Sequence, residues 1–360
     1  MKKIAIDTGP LKGEHKFRGI GMMTQELIGA FEILGDKNIK ISAVDFEGAD
    51  LSKYDLVHYQ VFNPFFDTLP DEFPTKAVVT IHDLIYLIYP QHYPPGIRGK
   101  LRFWRQKRRV QKASAILTIS ETSKKDIIRF LGIKPEKVHV VHLAPKKIFR
   151  KLETTKRSSL PKRFVLYVGD VNYNKNLHTL IHACKLAKIP LVISGKKALE
   201  VAQGGETMLN ELKGPMDWWR FVSGQPHPEN AHYAKMAHHF RHNKNILTLG
   251  FVPDEDLVVL YNLATVYVQP SFYEGFGLSI LEAMACGTPV IATRINTHVE
   301  IAEDAAIFVD PKDAKSMANK ISEVVNNRIT TDKLIKSGYN VVKKYSWKKT
   351  AQETLAVYND

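Results

Sequence analysis

The stretch VYVQPSFYEGFGLSILEAMACGTPVIATRINTHVEIAEDAAIFV, Val266–Val309, decides the fold. A run of strand-forming residues, Val266–Gln269, stops at Pro270 and is followed by the loop SFYEGFG. A short helix is predicted from about Leu278 to Ala285, closed by Gly287 just past its end. Pro289 then leads into a second strand, Val290–Ala292. This is a compact βαβ unit with its loop at the carboxyl edge of a parallel sheet. Gly275 and Gly277 carry no side chain to block a ligand. The first N–H groups of the helix lack intrahelical partners, and their dipole favours an anion, so a phosphate fits against Gly277–Ser279. Glu274 lies just before the helix and Glu282 one turn into it. A diphosphate at the helix start is thus flanked by two carboxylates, which accept hydrogen bonds from sugar hydroxyls; one suits a ribose and the other a hexose.

Working outward, the same alternation of short apolar strands and helical spacing runs through the chain. Strands are expected at Ile4–Ile6, Ile41–Phe46, Leu56–Tyr59, Ala77–Ile81, Ile116–Ile119 and Val138–Val141, and again at Phe164–Val168, Leu191–Ser194, Ile246–Leu249, Val266–Gln269, Val290–Ala292 and Ile307–Val309. Continuous apolar strands between helices indicate parallel sheets covered on both faces, hence an α/β protein of two doubly wound domains. The break lies in PKKIFRKLETTKRSSLP, Pro145–Pro161, which has linker composition. The domains are expected at 1–155, joined by a last amphipathic helix within 345–360, and at 156–344. With two such domains the natural ligand site is the cleft between the carboxyl ends of their strands.

Composition narrows the class. The 360 residues are 44% hydrophobic and 24% charged, an ordinary globular mixture. Cys184 and Cys286 are too few for a disulfide framework and are read as small buried apolar residues, consistent with a reducing cytoplasm. After Lys2 and Lys3 only three apolar residues precede Asp7, short of the roughly 7–15 of a secretory core. The net charge of +14 implies an anionic partner: nucleic acid, an anionic membrane face or a phosphorylated small molecule.

The motif residues resemble a known family. Glu274-Gly275-Phe276-Gly277 through Glu282-Ala283-Met284-Ala285-Cys286-Gly287-Thr288-Pro289-Val290 looks like the signature of retaining glycosyltransferase family 4, of GT-B fold. Tyr167-Val168-Gly169 with Lys175-Asn176-Leu177 resembles the opening of that family's C-terminal domain, and Leu249-Gly250-Phe251-Val252, Val309-Asp310-Pro311 and Tyr345-Ser346-Trp347 are similar to later landmarks. In the first half, Gly19-Ile20-Gly21, His82-Asp83-Leu84 and Ile119-Ser120-Glu121-Thr122-Ser123 resemble mannosyltransferase-like members.

The resemblance implies transfer of a hexose, with mannose the first choice, from a nucleotide-diphosphate sugar to a glycan or polyprenyl-linked acceptor. The anomeric configuration is retained and neither cofactor nor metal is needed. Glu274 would contact hydroxyls of the transferred sugar, and Glu282 the ribose. Gly169, Gly275, Phe276, Gly277, Leu278 and Ser279 would line the donor, and Lys175 would neutralise the diphosphate as a point charge. Gly19 and Gly21 would admit the diphosphate to the first domain's backbone, and His82 would line the donor sugar. One departure is Asp170, where many members carry Arg; Lys196, Lys197 and Arg294 are candidates to compensate. Lys12, Lys16 and Arg18, in the long loop before Gly19, could meet acceptor or phosphate.

Two further clusters stand out. RGKLRFWRQKRRVQK, Arg98–Lys112, sets cations among aromatics and suits an anionic membrane surface or a lipid diphosphate, with Arg105, Arg108 and Arg109 as the contacts; it suits nucleic acid about as well. His227, His232, His238, His239 and His242 include a zinc-compatible i,i+4 pair but no HExxH. The rival readings are a sugar-nucleotide epimerase of the same architecture and a non-enzymatic nucleic-acid-binding protein. The second gives the Glu274–Glu282 unit no reason to exist. A dinucleotide oxidoreductase is disfavoured because no GxGxxG follows Ile4–Ile6. The expected location is the cytoplasm, peripheral to the inner face of its membrane.

Overall fold

The computed structural model describes residues 1–12, 19–35, 37–153, 160–204 and 227–359. The chain divides into two compact units, one of Met1–Ile88, Pro95–Ala144 and Tyr345–Asp360, the other of Tyr89–Pro94 and Pro145–Lys344. The division thus falls at Ala144/Pro145, where the linker-like segment begins. The expected boundary at 155/156 lies outside the described residues, as do Lys16 and Arg18.

The first unit runs β1 (Lys2–Asp7), α1 (Gly19–Leu34), β2 (Ile39–Val44), β3 (Leu56–Tyr59), β4 (Lys76–Thr80), α2 (Ile85–Ile88), α3 (Gly96–Gln111), β5 (Ala115–Thr118), α4 (Glu121–Leu131) and β6 (Val138–Val140). Its sheet has the order β2-β1-β3-β4-β5-β6, and every pairing is parallel. Successive residues of a strand point to opposite faces, and the core divides accordingly. Ile4, Ile6, Leu56 and Val78 join Leu27 and Phe31 of α1 on one side. Ala5, Val57, Val79 and Ile116 join Val110 of α3 and Ile127 and Leu131 of α4 on the other.

The second unit runs β7 (Val165–Val168), α5 (Leu177–Ala187), β8 (Leu191–Ser194), α6 (Lys196–Ala202), α7 (Pro228–His242), β9 (Ile246–Thr248), α8 (Asp254–Leu263), β10 (Val266–Gln269), α9 (Leu278–Ala285), β11 (Val290–Thr293), α10 (Asn296–Ala302), β12 (Ala306–Val309), α11 (Ala314–Asn326) and α12 (Arg328–Val342). The last helix, α13 (Trp347–Asn359), belongs to the first unit, where Ala351, Val357 and Tyr358 pack with α1. The second sheet is also parallel, in the order β12-β11-β10-β7-β8-β9. The chain winds outward from β7 to β9 on one side and from β10 to β12 on the other, so the winding reverses between β7 and β10.

Two glycines shape the edge of the sheet at that reversal. Gly169 follows β7 with φ +146, a conformation closed to ordinary side chains. Gly195 follows β8, and a Cβ there would stand 2.2 Å from the Gly169 carbonyl oxygen. The two strand ends are in contact because Gly195 has no side chain; at Gly169 a Cβ would instead meet the Tyr167 hydroxyl at 2.9 Å. We therefore expect Gly195→Ala to push the β7 loop out of place and to cost about 1–3 kcal/mol, as overpacking does, read as a lowered midpoint in thermal unfolding.

Candidate active site

Open α/β sheets bind ligands beyond the carboxyl ends of the strands where the winding reverses, which in the second unit means the loops after β7 and β10. These loops carry Lys175 and Glu274. The Lys175 ammonium donates to both Glu274 oxygens, at 2.8 and 2.7 Å. Glu274 Oε1 also accepts from Gln269 Nε2 at 2.7 Å and from the Ser271 hydroxyl at 2.6 Å. Only 7% of Glu274 is exposed. Burial acts to raise its pKa, but the Lys175 charge and these hydrogen bonds outweigh it and hold the carboxyl below the ordinary glutamate value.

The Lys-Asn turn has a local cause. Tyr173–Lys175 forms one 3₁₀ turn, ended by Asn176 in the left-handed region at φ 53. The Asn176 amide donates to the carbonyls of Pro270 at 2.8 Å and Pro311 at 2.7 Å, and its oxygen accepts from the Thr179 hydroxyl at 2.7 Å. One side chain thereby ties the loop after β7 to the ends of β10 and β12 while starting α5. Asparagine suits the position because it tolerates the left-handed conformation and both donates and accepts.

Gly277, with φ +115, caps the start of α9, and Gly277–Ser279 are half-buried while Gly275 and Phe276 are buried. The Ser279 hydroxyl stands beside the Tyr261 and Tyr267 phenols, and Leu278 and Ser279 offer a ligand the backbone of the first helical turn. Glu282 is also buried, at 8% exposure, and accepts a 2.9 Å hydrogen bond from the Tyr261 hydroxyl. Burial pushes its pKa up to about 7 against the opposing hydrogen bond from Tyr261. Glu274 and Glu282 thus flank one helix start in different protonation regimes.

His82, in the first unit, follows β4. Its Nε2 donates to the Gln60 carbonyl at 3.1 Å, which leaves Nδ1 as an acceptor, buried and without a hydrogen-bond partner among the described residues. Burial pulls its pKa down to about 4, so the ring is neutral near pH 7. The Ser120–Ser123 motif caps α4 through the Ser120 hydroxyl, and the Ser123 hydroxyl donates to the His82 carbonyl at 3.0 Å. Gly19 and Gly21 lie in the first turn of α1, a helix start rather than the end of a loop. Lys12 pairs with Asp45.

Of the basic residues of α3, Arg109 is committed elsewhere. It bonds Asp67 at 2.8 Å and Asp71 at 2.6 Å and is only 11% exposed, which removes it from the surface contacts expected of it. Arg105 and Arg108 face outward. Of the candidates to compensate for Asp170, Lys197 lies 5.5 Å from the Tyr233 ring centre, and Arg294 lies 5.2 Å from that of Phe308. In the histidine cluster His227 caps α7, His232 bonds the Val171 carbonyl at 2.7 Å, His239 Nε2 lies 3.0 Å from His178 Nδ1, and His242 Nδ1 lies 2.9 Å from the His238 carbonyl oxygen. No group of three or more His, Cys, Asp or Glu among the described residues is arranged to hold a metal ion.

Sequence reasoning missed the segment Tyr89–Pro94, which belongs to the second unit. The Tyr93 hydroxyl donates to Asn174 Oδ1 at 2.9 Å, the Tyr89 hydroxyl to the Phe272 carbonyl at 3.4 Å, and His92 stacks on Tyr173. It therefore braces both loops of the site. The crowding of aromatic and proline residues in YPQHYPP was the available signal. His298, fully buried on α10, was also missed: its Nδ1 faces the Thr293 carbonyl at 2.9 Å, and its Nε2 has no hydrogen-bond partner among the described residues.

A doubly wound unit with a cation, two carboxylates and a helix start at its reversal point is the architecture of a protein that takes a phosphorylated ligand. Residues 150–341, more than half of the chain, match the family described as Glycosyl transferases group 1, and residues 44–144 match Glycosyltransferase Family 4. The chain belongs to the group 1 glycosyl transferases and is a glycosyltransferase. Among its relatives, O-antigen chain mannosyltransferase B of Escherichia coli is 28% identical over 300 residues, covering 79% of this chain and 70% of that protein. The serotype-specific mannosyltransferase WbdA of the same organism is 25% identical over 291 residues, and the match covers 78% of this chain but only about a third of that longer protein. Sucrose-phosphate synthase from Thermosynechococcus elongatus superposes with a TM-score of 0.69 at 21% identity, covering 100% of this chain and 98% of that one. HepE from Anabaena, solved with UDP-glucose, gives 0.65 at 16% identity, covering 100% and 99%. The fold is GT-B.

The raised pKa of Glu282 has a consequence for stability. Between its ordinary value of 4.5 and about 7, the folded chain holds a proton that the unfolded chain has released, so stability falls as pH rises through that window and stays reduced above it. Glu282→Gln removes the titration and keeps an acceptor for Tyr261. We expect its thermal midpoint to exceed that of the parent by more at about pH 8 than at about pH 5. An offset equal at both would show that the carboxyl ionises as freely folded as unfolded.

Proposed function

We propose that the protein transfers a hexose, mannose as first choice, from a nucleotide-diphosphate sugar to a glycan or polyprenyl-linked acceptor, with retention of configuration and without a metal ion. The observation that carries this reading is the Lys175–Glu274 pair beside the start of α9 at the reversal point of the second sheet. In this reading the diphosphate takes the helix start, and Lys175 meets the charge that develops on it. Glu274 accepts hydroxyls of the transferred sugar and Glu282 those of the ribose. Mannose is supported by the mannosyltransferase names of the relatives.

The acceptor oxygen attacks the anomeric carbon on the face from which the diphosphate leaves. The C–O bond to phosphate breaks as the new glycosidic bond forms, and the acceptor's proton passes to the departing diphosphate. The protein positions the partners and stabilises the leaving charge. An acceptor held at an anionic membrane surface would be met by Arg105 and Arg108.

A thermal-shift screen over nucleoside diphosphates and nucleotide sugars identifies the donor, and the anomeric coupling constant of the product reports retention. Activity undiminished by EDTA is the expected outcome for a metal-free reaction. Glu274→Ala should lower transfer by about a hundredfold or more, the scale on which transition-state contacts act; full activity in that variant refutes the assignment.

A ribose diol bonds best to an ionised carboxylate. With the Glu282 pKa near 7, donor affinity is therefore expected to rise from about pH 6 to about pH 8, and Glu282→Gln to bind more weakly with a flat profile, measured by calorimetric titration.

A further inference from the structure

The first unit presents an apolar ridge on its most basic helix. Ile97, Leu101 and Trp104 of α3 are 65%, 63% and 60% exposed, and their spacing aligns them on one face. The opposite face, with Gly99, Gln106 and Val110, is the buried one. Helical geometry sets Lys100 along one flank, Arg98 and Arg105 along the other, and Arg108 in line with the ridge. The helix contains no acidic residue.

The chemistry of this face selects its partner. Self-association through it would set the same cations against each other across a two-fold axis. Nucleic acid is held by cations and hydrogen-bond donors, for which Ile97 and Leu101 offer nothing. An anionic bilayer takes both components, the apolar side chains among the acyl chains and the flanking cations against the headgroups.

We propose that α3 lies in the interface of an anionic membrane with Ile97, Leu101 and Trp104 inserted below the headgroups. The proposal rests on the reading above that α3 meets an anionic membrane, and adds that attachment is by insertion rather than by charge alone.

The test uses the full chain and vesicles of phosphatidylglycerol and phosphatidylcholine, some with brominated acyl chains. Three results are expected. Co-sedimentation persists at high salt. Bromolipid quenches tryptophan emission in the parent but not in Trp104→Phe, which still sediments. The triple variant Ile97→Ser, Leu101→Ser, Trp104→Ser partitions at least about tenfold more weakly, as loss of buried apolar surface requires. These positions are exposed, so circular dichroism of the triple variant should match the parent. Sedimentation abolished by salt and indifferent to the triple substitution overturns insertion while leaving charge-driven attachment standing. No sedimentation even at low salt overturns both. A dimer in sedimentation velocity that the triple variant disperses, without lipid quenching, assigns the ridge to a second copy and overturns the proposal.

Discussion

The buried ion pair of Lys175 and Glu274 is the constraint on which the rest of the second unit's site depends. Its partners are 99 positions apart in the chain and come from the two strands that flank the reversal of the sheet. Taking both groups from water is costly, and the cost is offset only because the ammonium reaches both carboxylate oxygens while Gln269 and Ser271 add their hydrogen bonds. Loss of Lys175 alone would strand a buried carboxylate, a change worth about 3–5 kcal/mol in comparable pairs. This explains the density of support around the pair. Asn176 pins the lysine's loop, Thr297 donates to the Glu274 carbonyl at 2.9 Å, and the Tyr93 hydroxyl holds Asn174 next to Lys175. In the proposed reaction the pair is a resting state, with the arriving diphosphate competing for Lys175 and the sugar for Glu274. Both groups are then already desolvated and oriented when the donor binds, which lowers the reorganisation required of the reaction itself.

Much of this was legible because it is local. A parallel strand buried on both faces must be a continuous apolar run, so Leu56–Tyr59, Leu191–Ser194 and Val266–Gln269 could be bounded from the sequence and form with those limits. The helix Leu278–Ala285 was fixed by Gly277 before it and Gly287 after it, both of which adopt positive φ. The edge strand β2 was less well defined, running Ile39–Val44 rather than Ile41–Phe46, because it is only half-buried and its alternation is weak.

What could not be read depends on contacts between distant segments. Nothing in the spacing of Tyr89, His92 and Tyr93 shows that they join the second unit, since the information lies in the shapes of Tyr173, Asn174 and Phe272 about 80 to 180 residues later. Arg109 carries the same local signal as Arg105 and Arg108, and only contacts across the fold separate it from them: Asp67 and Asp71 together hold it nearly buried, whereas Arg105 meets Asp67 alone at 3.6 Å and stays exposed. His58 is similar. It is fully buried because Tyr358 and Thr80 satisfy its ring nitrogens at 2.5 and 2.7 Å, and Tyr358 stands at the far end of the chain.

The two glutamates of the motif show how far identical residue types diverge in one site. Glu274 is surrounded by donors and a cation, so the environment that buries it also keeps it ionised. Glu282 projects from α9 among Tyr261, Tyr267 and the helix's own apolar side chains, with a single phenol donating to it, and burial prevails. A carboxylate that remains charged over the whole neutral range suits a contact whose strength must not vary with pH, as the proposed contact to the transferred sugar requires. One poised near neutrality is more easily left neutral in the empty site and drawn into ionisation by hydroxyls that donate to it, so part of the donor's binding energy goes into removing its proton. The spacing of the motif therefore does more than place two acceptors around a helix start. By putting one in the loop and the other a turn into the helix, it places one within reach of the lysine and the other beyond it.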